Sequence, residues 1–191
     1  MKALLEEIGS CTVCSSFFLH EPRPVVQASK SSKLLIIGQA PGRKVHESGI
    51  PWDDASGRNL RKWLGISDEV FYDEGKVALI PMGFCYPGSG KSGDLPPRPE
   101  CAPLWHEKLM GHFNSLKLIL LVGQYAQKYY LGDTARATLT ETVKAYEEYL
   151  PRYLPLPHPS PRNQLWIKKN PWFELELLPH LKAQTSKALS L

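Results

Sequence analysis

The sequence predicts an α/β fold, a three-layer α/β/α domain around a central four-stranded, mostly parallel sheet. Three observations predict it. Four short apolar runs, each bounded by glycine, proline or charge, read as buried strands. Segments with helical spacing lie between those runs, the alternation that builds βαβ units. The 191 residues suit one domain, 1–191, and show neither an internal repeat nor a linker composition.

The elements follow in order. Residues 1–9 form a short helix with Leu4, Leu5 and Ile8 on one face. The run 33–38 ends in Gly38 and is the first strand; 76–80 is the second and 116–123 the third. The weaker run 152–156 contains Pro155, which suits a sheet edge or a strand end. Helices are expected over 58–64, over 99–112 with Leu104, Trp105 and Leu109 at helical spacing, and over 124–131 and 140–150. A last helix starts at Asn170-Pro171, a cap followed by proline at the first helical position. Continuous apolar strands belong in a parallel sheet covered on both faces. Ligands of such sheets sit beyond the carboxyl ends of the strands. That rule singles out the loops 39–57 and 158–169.

Composition narrows the function classes. The balance of 23 Lys+Arg against 19 Asp+Glu permits nucleic-acid binding without requiring it. No apolar run approaches the roughly 18 residues of a bilayer span. The opening MKALLEEIGSC lacks the apolar stretch of a secretory signal. The expectation is a cytoplasmic monomer with no membrane partner. Seventeen prolines and fourteen glycines gather around 38–57, 81–103 and 151–171, as ordered functional loops would require.

Cys11 and Cys14 form a C-x-x-C, while fifteen residues separate Cys85 from Cys101. In a reducing compartment four thiols point to a metal or cluster before disulfides. By count the set suits a 4Fe-4S cluster or Zn2+. A zinc finger or ribbon usually has two tight pairs, so the wide second pair stands apart. Such a site would staple the N-terminal segment to the proline-rich loop.

Two loops carry candidate chemistry. The first is Gly38-Gln39-Ala40-Pro41-Gly42-Arg43, followed by the stretch Gly49 to Gly57 with Trp52, Asp53 and Asp54. A glycine–proline turn at a strand end can aim its amides at a ligand. The second is His158-Pro159-Ser160-Pro161-Arg162-Asn163, in which two prolines hold an imidazole and a hydroxyl in place.

Together these loops resemble the two signature motifs of the uracil-DNA glycosylase superfamily. The stretch 33–64 and the cysteine layout resemble its iron–sulfur family four. The second motif resembles the single-strand-selective monofunctional branch. The resemblance implies a monofunctional glycosylase that flips a damaged or non-standard base from DNA and hydrolyses its N-glycosidic bond. It makes His158 the donor to the leaving base and places Gln39 and Ala40 at the base edge and water. Trp52 takes the place of the aromatic under the base, and Met82 and Asn163 are further base-binding candidates. Cys11, Cys14, Cys85 and Cys101 become the cluster ligands. Leu165 and Trp166, with Ile167, would form an apolar wedge beside Lys168 and Lys169. Arg43, Ser160 and Arg162 would touch DNA, with Lys44, Arg58, Arg61 and Lys91 as additional phosphate contacts.

The chain departs from that pattern at three places. Ala40 stands where other branches carry a water-activating Asp, and Gln39 before it cannot act as a base; Asp53 or Asp54 would have to supply the carboxylate. The stretch Leu79 to Phe84 lacks the amide that reads uracil's edge. The stretch Gly88 to Gly93 resembles a phosphate-binding loop without its spacing, and is read as a mobile or DNA-facing loop. A DNA-binding protein of the same fold with weak or no catalysis, and a zinc-stapled module for another ligand, are the rival readings.

Overall fold

A computed structural model describes residues 1–91 and 93–191, so Ser92 in the Gly88–Gly93 stretch lies outside the described residues. Four strands form one parallel sheet: β1 (Leu34–Gly38), β2 (Val77–Pro81), β5 (Leu118–Val122) and β6 (Tyr153–Leu156), in the order β2-β1-β5-β6. Between β2 and β5 a two-stranded antiparallel hairpin joins β3 (Ser89–Gly90) to β4 (Gly93–Asp94). Pro155 sits in β6 at the sheet edge, where its missing N–H is tolerated. The opposite edge is partly covered, because Gln27 and Leu79 exchange backbone hydrogen bonds.

The helices are α1 (Lys2–Gly9), α2 (Arg43–Ser48), α3 (Ala55–Leu64), α4 (Asp68–Phe71), α5 (Cys101–Met110), α6 (Gln124–Leu131), α7 (Leu139–Lys144), α8 (Gln164–Lys169) and α9 (Leu178–Leu189). Side chains alternate across a strand, and this divides the core in two. Leu34 and Ile36 of β1, Leu79 of β2 and Leu120 of β5 pack beneath α3, α8 and α9. Leu35 and Ile37, Ile80, and Leu121 pack beneath α1, α5 and α6. Two apolar faces, each with its own helices, make the three layers.

Several expected boundaries move. The helix expected over 140–150 stops at Lys144, and Tyr146–Tyr149 tightens into a separate turn. The last helix opens on a wide π turn over Phe173–Leu177 before α9. The short helices α2 and α4 lie where the sequence pattern predicts none, and α8 forms where it predicts a loop. Within the stretch read as a mobile or DNA-facing loop, Ser89–Gly90 pairs antiparallel with Gly93–Asp94. Among the described residues no helix is long and apolar enough to cross a membrane.

Candidate active site

A cavity of about 430 Å³ opens at the carboxyl end of the sheet. The turn after β1 supplies Gln39, Ala40 and Gly42; the loop before α3 supplies Trp52 and Asp54; the loop after β6 supplies His158, Ser160 and Arg162. Two loops more than a hundred residues apart thus share one chamber. Gln39 lines it, its side-chain amide without a protein partner among the described residues, while its backbone carbonyl accepts from the Gly83 N–H at 2.9 Å.

Trp52 forms a wall of the chamber. Its backbone is left-handed, with φ of 58°. The ring lies across Gly38, where a Cβ would stand 2.7 Å from its Cζ2. Its carbonyl crosses Gly57 so closely that a Cβ there would stand 1.8 Å away. Both neighbours must be glycine for the indole to lie where it does. Arg61 also approaches the Trp52 carbonyl, at 3.4 Å. Arg61 is 8% exposed, and its guanidinium pairs with Asp68 and reaches the Tyr72 hydroxyl, so Arg61 is structural rather than the phosphate contact expected.

His158 stacks on Trp52, with centroids 5.8 Å apart. Burial pulls its pKa below the ordinary imidazole value, and the charges of Asp54 and Asp94 work against that fall. The ring is therefore neutral at neutral pH. Amides from two elements hold its loop: Asn163 Nδ2 donates to the His158 carbonyl at 2.7 Å, and Asn59 Nδ2 donates to the Pro159 carbonyl at 2.9 Å. The Ser160 hydroxyl accepts from the Arg162 N–H at 3.2 Å and starts the turn that places Asn163.

Three candidates do not line the cavity. Met82 continues the face of Ala78 and Ile80 into the core, because strand alternation sends Pro81 to the chamber and its neighbour away. Asn163 uses its amide to hold the His158 loop rather than to face a base. Of the two aspartates Asp54 lines the cavity and Asp53 does not; Asp54 also caps α3, its Oδ1 accepting from the Gly57 N–H at 2.7 Å.

The structure adds Asp94 and Leu95, carried to the cavity by the hairpin. Glycines on both sides of a short polar stretch are the hairpin signal in this segment. Asn59 gave no sequence signal, since one helical amide looks like any other.

The proposed wedge is reduced to Leu165, which is 72% exposed. Trp166 packs on Trp172 and Phe173 and donates from Nε1 to the Thr140 hydroxyl at 2.8 Å, while Ile167 is buried. Helical periodicity explains this, because in α8 only one side can face out. Lys168 and Lys169 are exposed beside it, as are Arg43, Lys44, Arg58 and Lys91.

The four cysteines are free thiols that line one small pocket with Ile8, Phe18, Phe84 and Trp105. Cys14, Cys85 and Cys101 are buried. Burial, with repulsion from the neighbouring sulfurs, pushes the Cys85 thiol up to about 12 and Cys101 up to about 11. Thiolates so placed need a cation to stabilise them, so this donor set fits a metal group. Among the described residues no three His, Cys, Asp or Glu side chains are gathered as ligands of a single ion.

The sequence profile of the uracil DNA glycosylase superfamily matches residues 25–182. The chain is also similar to a candidate uracil DNA glycosylase from Methanosarcina acetivorans solved by NMR, at 16% identity, over 84% of this chain and 98% of that one, with a TM-score of 0.44. A likeness that distant adds nothing to the family match, which spans the cavity and both loops that build it. On that match the chain belongs to the uracil DNA glycosylase superfamily.

Proposed function

We propose that this chain is a monofunctional DNA glycosylase that takes a damaged or non-standard base into the cavity and hydrolyses its N-glycosidic bond. The observation that carries the reading is the meeting of Gln39, Trp52, Asp54 and His158 on one chamber at the carboxyl end of the sheet. An enzyme that works on a base must first remove it from the stack, and needs an aromatic surface and edge contacts to receive it. Trp52 offers the surface and the free Gln39 amide the edge contact. The bond breaks through an oxocarbenium-like sugar. Carboxylates beside that sugar stabilise its charge and take the proton of the attacking water. That role falls to Asp54, supported by its place in the cavity lining. His158, neutral and held by Asn163, donates a hydrogen bond to the departing base. No lysine is among the described residues that line the cavity, which supports hydrolysis without a Schiff base. Leu165 with Lys168 and Lys169 would face the DNA.

Cys11, Cys14, Cys85 and Cys101 are the proposed ligands of a 4Fe-4S cluster, Zn2+ being the alternative. Four thiols around one pocket, with a wide second pair, support the cluster. The group supplies a tie between the N-terminal segment, the loop after β2 and the start of α5.

Oligonucleotides holding uracil, hypoxanthine, xanthine or a modified cytosine, incubated with excess protein and then alkali, test the activity. Strand breaks at the modified position are expected for at least one. DNA bound without any break would favour the binding-protein reading. Iron and zinc analysis with a visible spectrum tests the cluster: a colourless protein with stoichiometric zinc would overturn it.

A further inference from the structure

The cavity carries more negative charge than the departure of an anionic base favours. Its ionisable lining consists of Asp54, Asp94, His158 and Arg162. His158 is neutral, so two carboxylates face one guanidinium, in a chain whose overall charge is +4. The carboxylates come from different elements yet meet at one turn. A Cβ on Gly42 would stand 3.4 Å from Asp94 Oδ2 and 3.9 Å from Asp54 Oδ2. Asp54 keeps Oδ2 available, because Oδ1 caps α3. Neither carboxylate belongs to an ion pair among the described residues. The indole of Trp52 lines the same chamber.

Uracil leaves as an anion and presents carbonyl acceptors, both disfavoured beside two carboxylates. A purine alkylated at N7 or N3, ring nitrogens that carry no hydrogen, is different. It is cationic while bonded to the sugar and neutral once released. Carboxylates and an aromatic face are the groups that attract such a cation.

We propose that the cavity selects a cationic base, a purine alkylated at N7 or N3, with Asp94 as the specificity-determining carboxylate beside Asp54. The proposal rests on the glycosylase reading above. In the step it describes, the bond between C1′ and the base nitrogen breaks and its electron pair cancels the ring's positive charge. The oxygen of a water molecule bonds to C1′, and the water's proton passes to a carboxylate and then to solvent. No strong acid is needed for such a leaving group. That agrees with a neutral His158.

The test compares single-turnover release of N7-methylguanine, uracil and hypoxanthine from otherwise identical oligonucleotides. N7-methylguanine is expected to leave fastest, and Asp94→Asn to lower its preference over the neutral bases by about tenfold, or about 1.4 kcal/mol. A binding measurement guards against a variant that misfolds. With the unaltered protein, free N7-methylguanosine in its charged form should quench tryptophan fluorescence at lower concentration than uridine or inosine. Release of a neutral base without release of N7-methylguanine above its spontaneous loss would overturn the charge inference and leave the glycosylase reading standing. Release of no base from DNA that the protein holds would overturn both.

Discussion

The ring of Trp52 lies against the imidazole of His158, with centroids 5.8 Å apart and planes inclined by 29°. Residues from the two signature loops thus hold each other, and the Trp52 wall of the cavity and the His158 ring are one unit. Trp52→Ala should raise the concentration of DNA needed for half-maximal single-turnover rate, by a stacking loss of about 1–3 kcal/mol. Trp52→Phe should recover part of it. Unchanged DNA dependence in the alanine variant would remove the indole from the site.

Gly38 tests the same wall without touching the indole. An alanine there places a methyl carbon 2.7 Å from Trp52 Cζ2, so the ring must shift. Gly38→Ala should reproduce most of the Trp52→Ala defect and alter tryptophan emission, with the far-ultraviolet circular dichroism unchanged. Full activity would mean that the ring's position over β1 is not needed.

Asn163 and Asn59 are positioning residues, each donating to a carbonyl of the His158-Pro159 pair. Removing one such donor loosens the loop by about 1 kcal/mol. Asn163→Ala should therefore lower the single-turnover rate by several-fold with little change in DNA affinity. Because both amides hold one loop, the double variant should differ from the sum of the singles. A loss in affinity alone would assign Asn163 to base contact instead.

Leu165 and Trp166 are neighbours with opposite surroundings. Leu165→Ala should leave the melting temperature within a degree or two and weaken activity on duplex more than on single-stranded DNA, since only duplex must be wedged open. Trp166→Ala should destabilise the fold by about 1–3 kcal/mol, since the half-buried indole packs on Trp172 and Phe173 and donates to the Thr140 hydroxyl. Thermal melts and paired duplex and single-strand assays separate the two.

His106 gives a pH signature away from the cavity. Its Nε2 donates to the Pro81 carbonyl at 3.0 Å and its Nδ1 accepts from the Tyr130 hydroxyl at 2.7 Å. Burial lowers its pKa from 6.5 to about 4. The folded state binds this proton less readily than the unfolded chain. Its contribution is therefore fully present above about 6.5, declines as pH falls, and levels off near 4, amounting to about 3 kcal/mol. Denaturant titrations should show stability falling across that window, and His106→Gln should flatten the slope.

The sequence by itself determined the layers. Apolar runs such as 33–38 and 116–123 can be satisfied only inside a sheet covered on both faces, and the helical spacing between them supplies the cover. It also singled out the two loops that meet at the cavity, because Gly38-Gln39-Ala40-Pro41-Gly42 and His158-Pro159-Ser160 are stiff segments at strand ends. Only the tertiary structure decided what those loops face. Strand alternation turned Met82 into the core beside Ile80, and helical periodicity turned Trp166 inward while leaving Leu165 exposed. Asp53 and Asp54 are adjacent in sequence, yet Asp54 is the one that caps α3 and lines the cavity. Asp94 reaches the cavity through a hairpin that the chain's linear order does not announce, and Asn59 meets Pro159 across a hundred residues. Period and turn chemistry act over a few residues and can be read along the chain. The charge of the cavity is a sum over residues brought together by packing, and it exists only in the folded molecule.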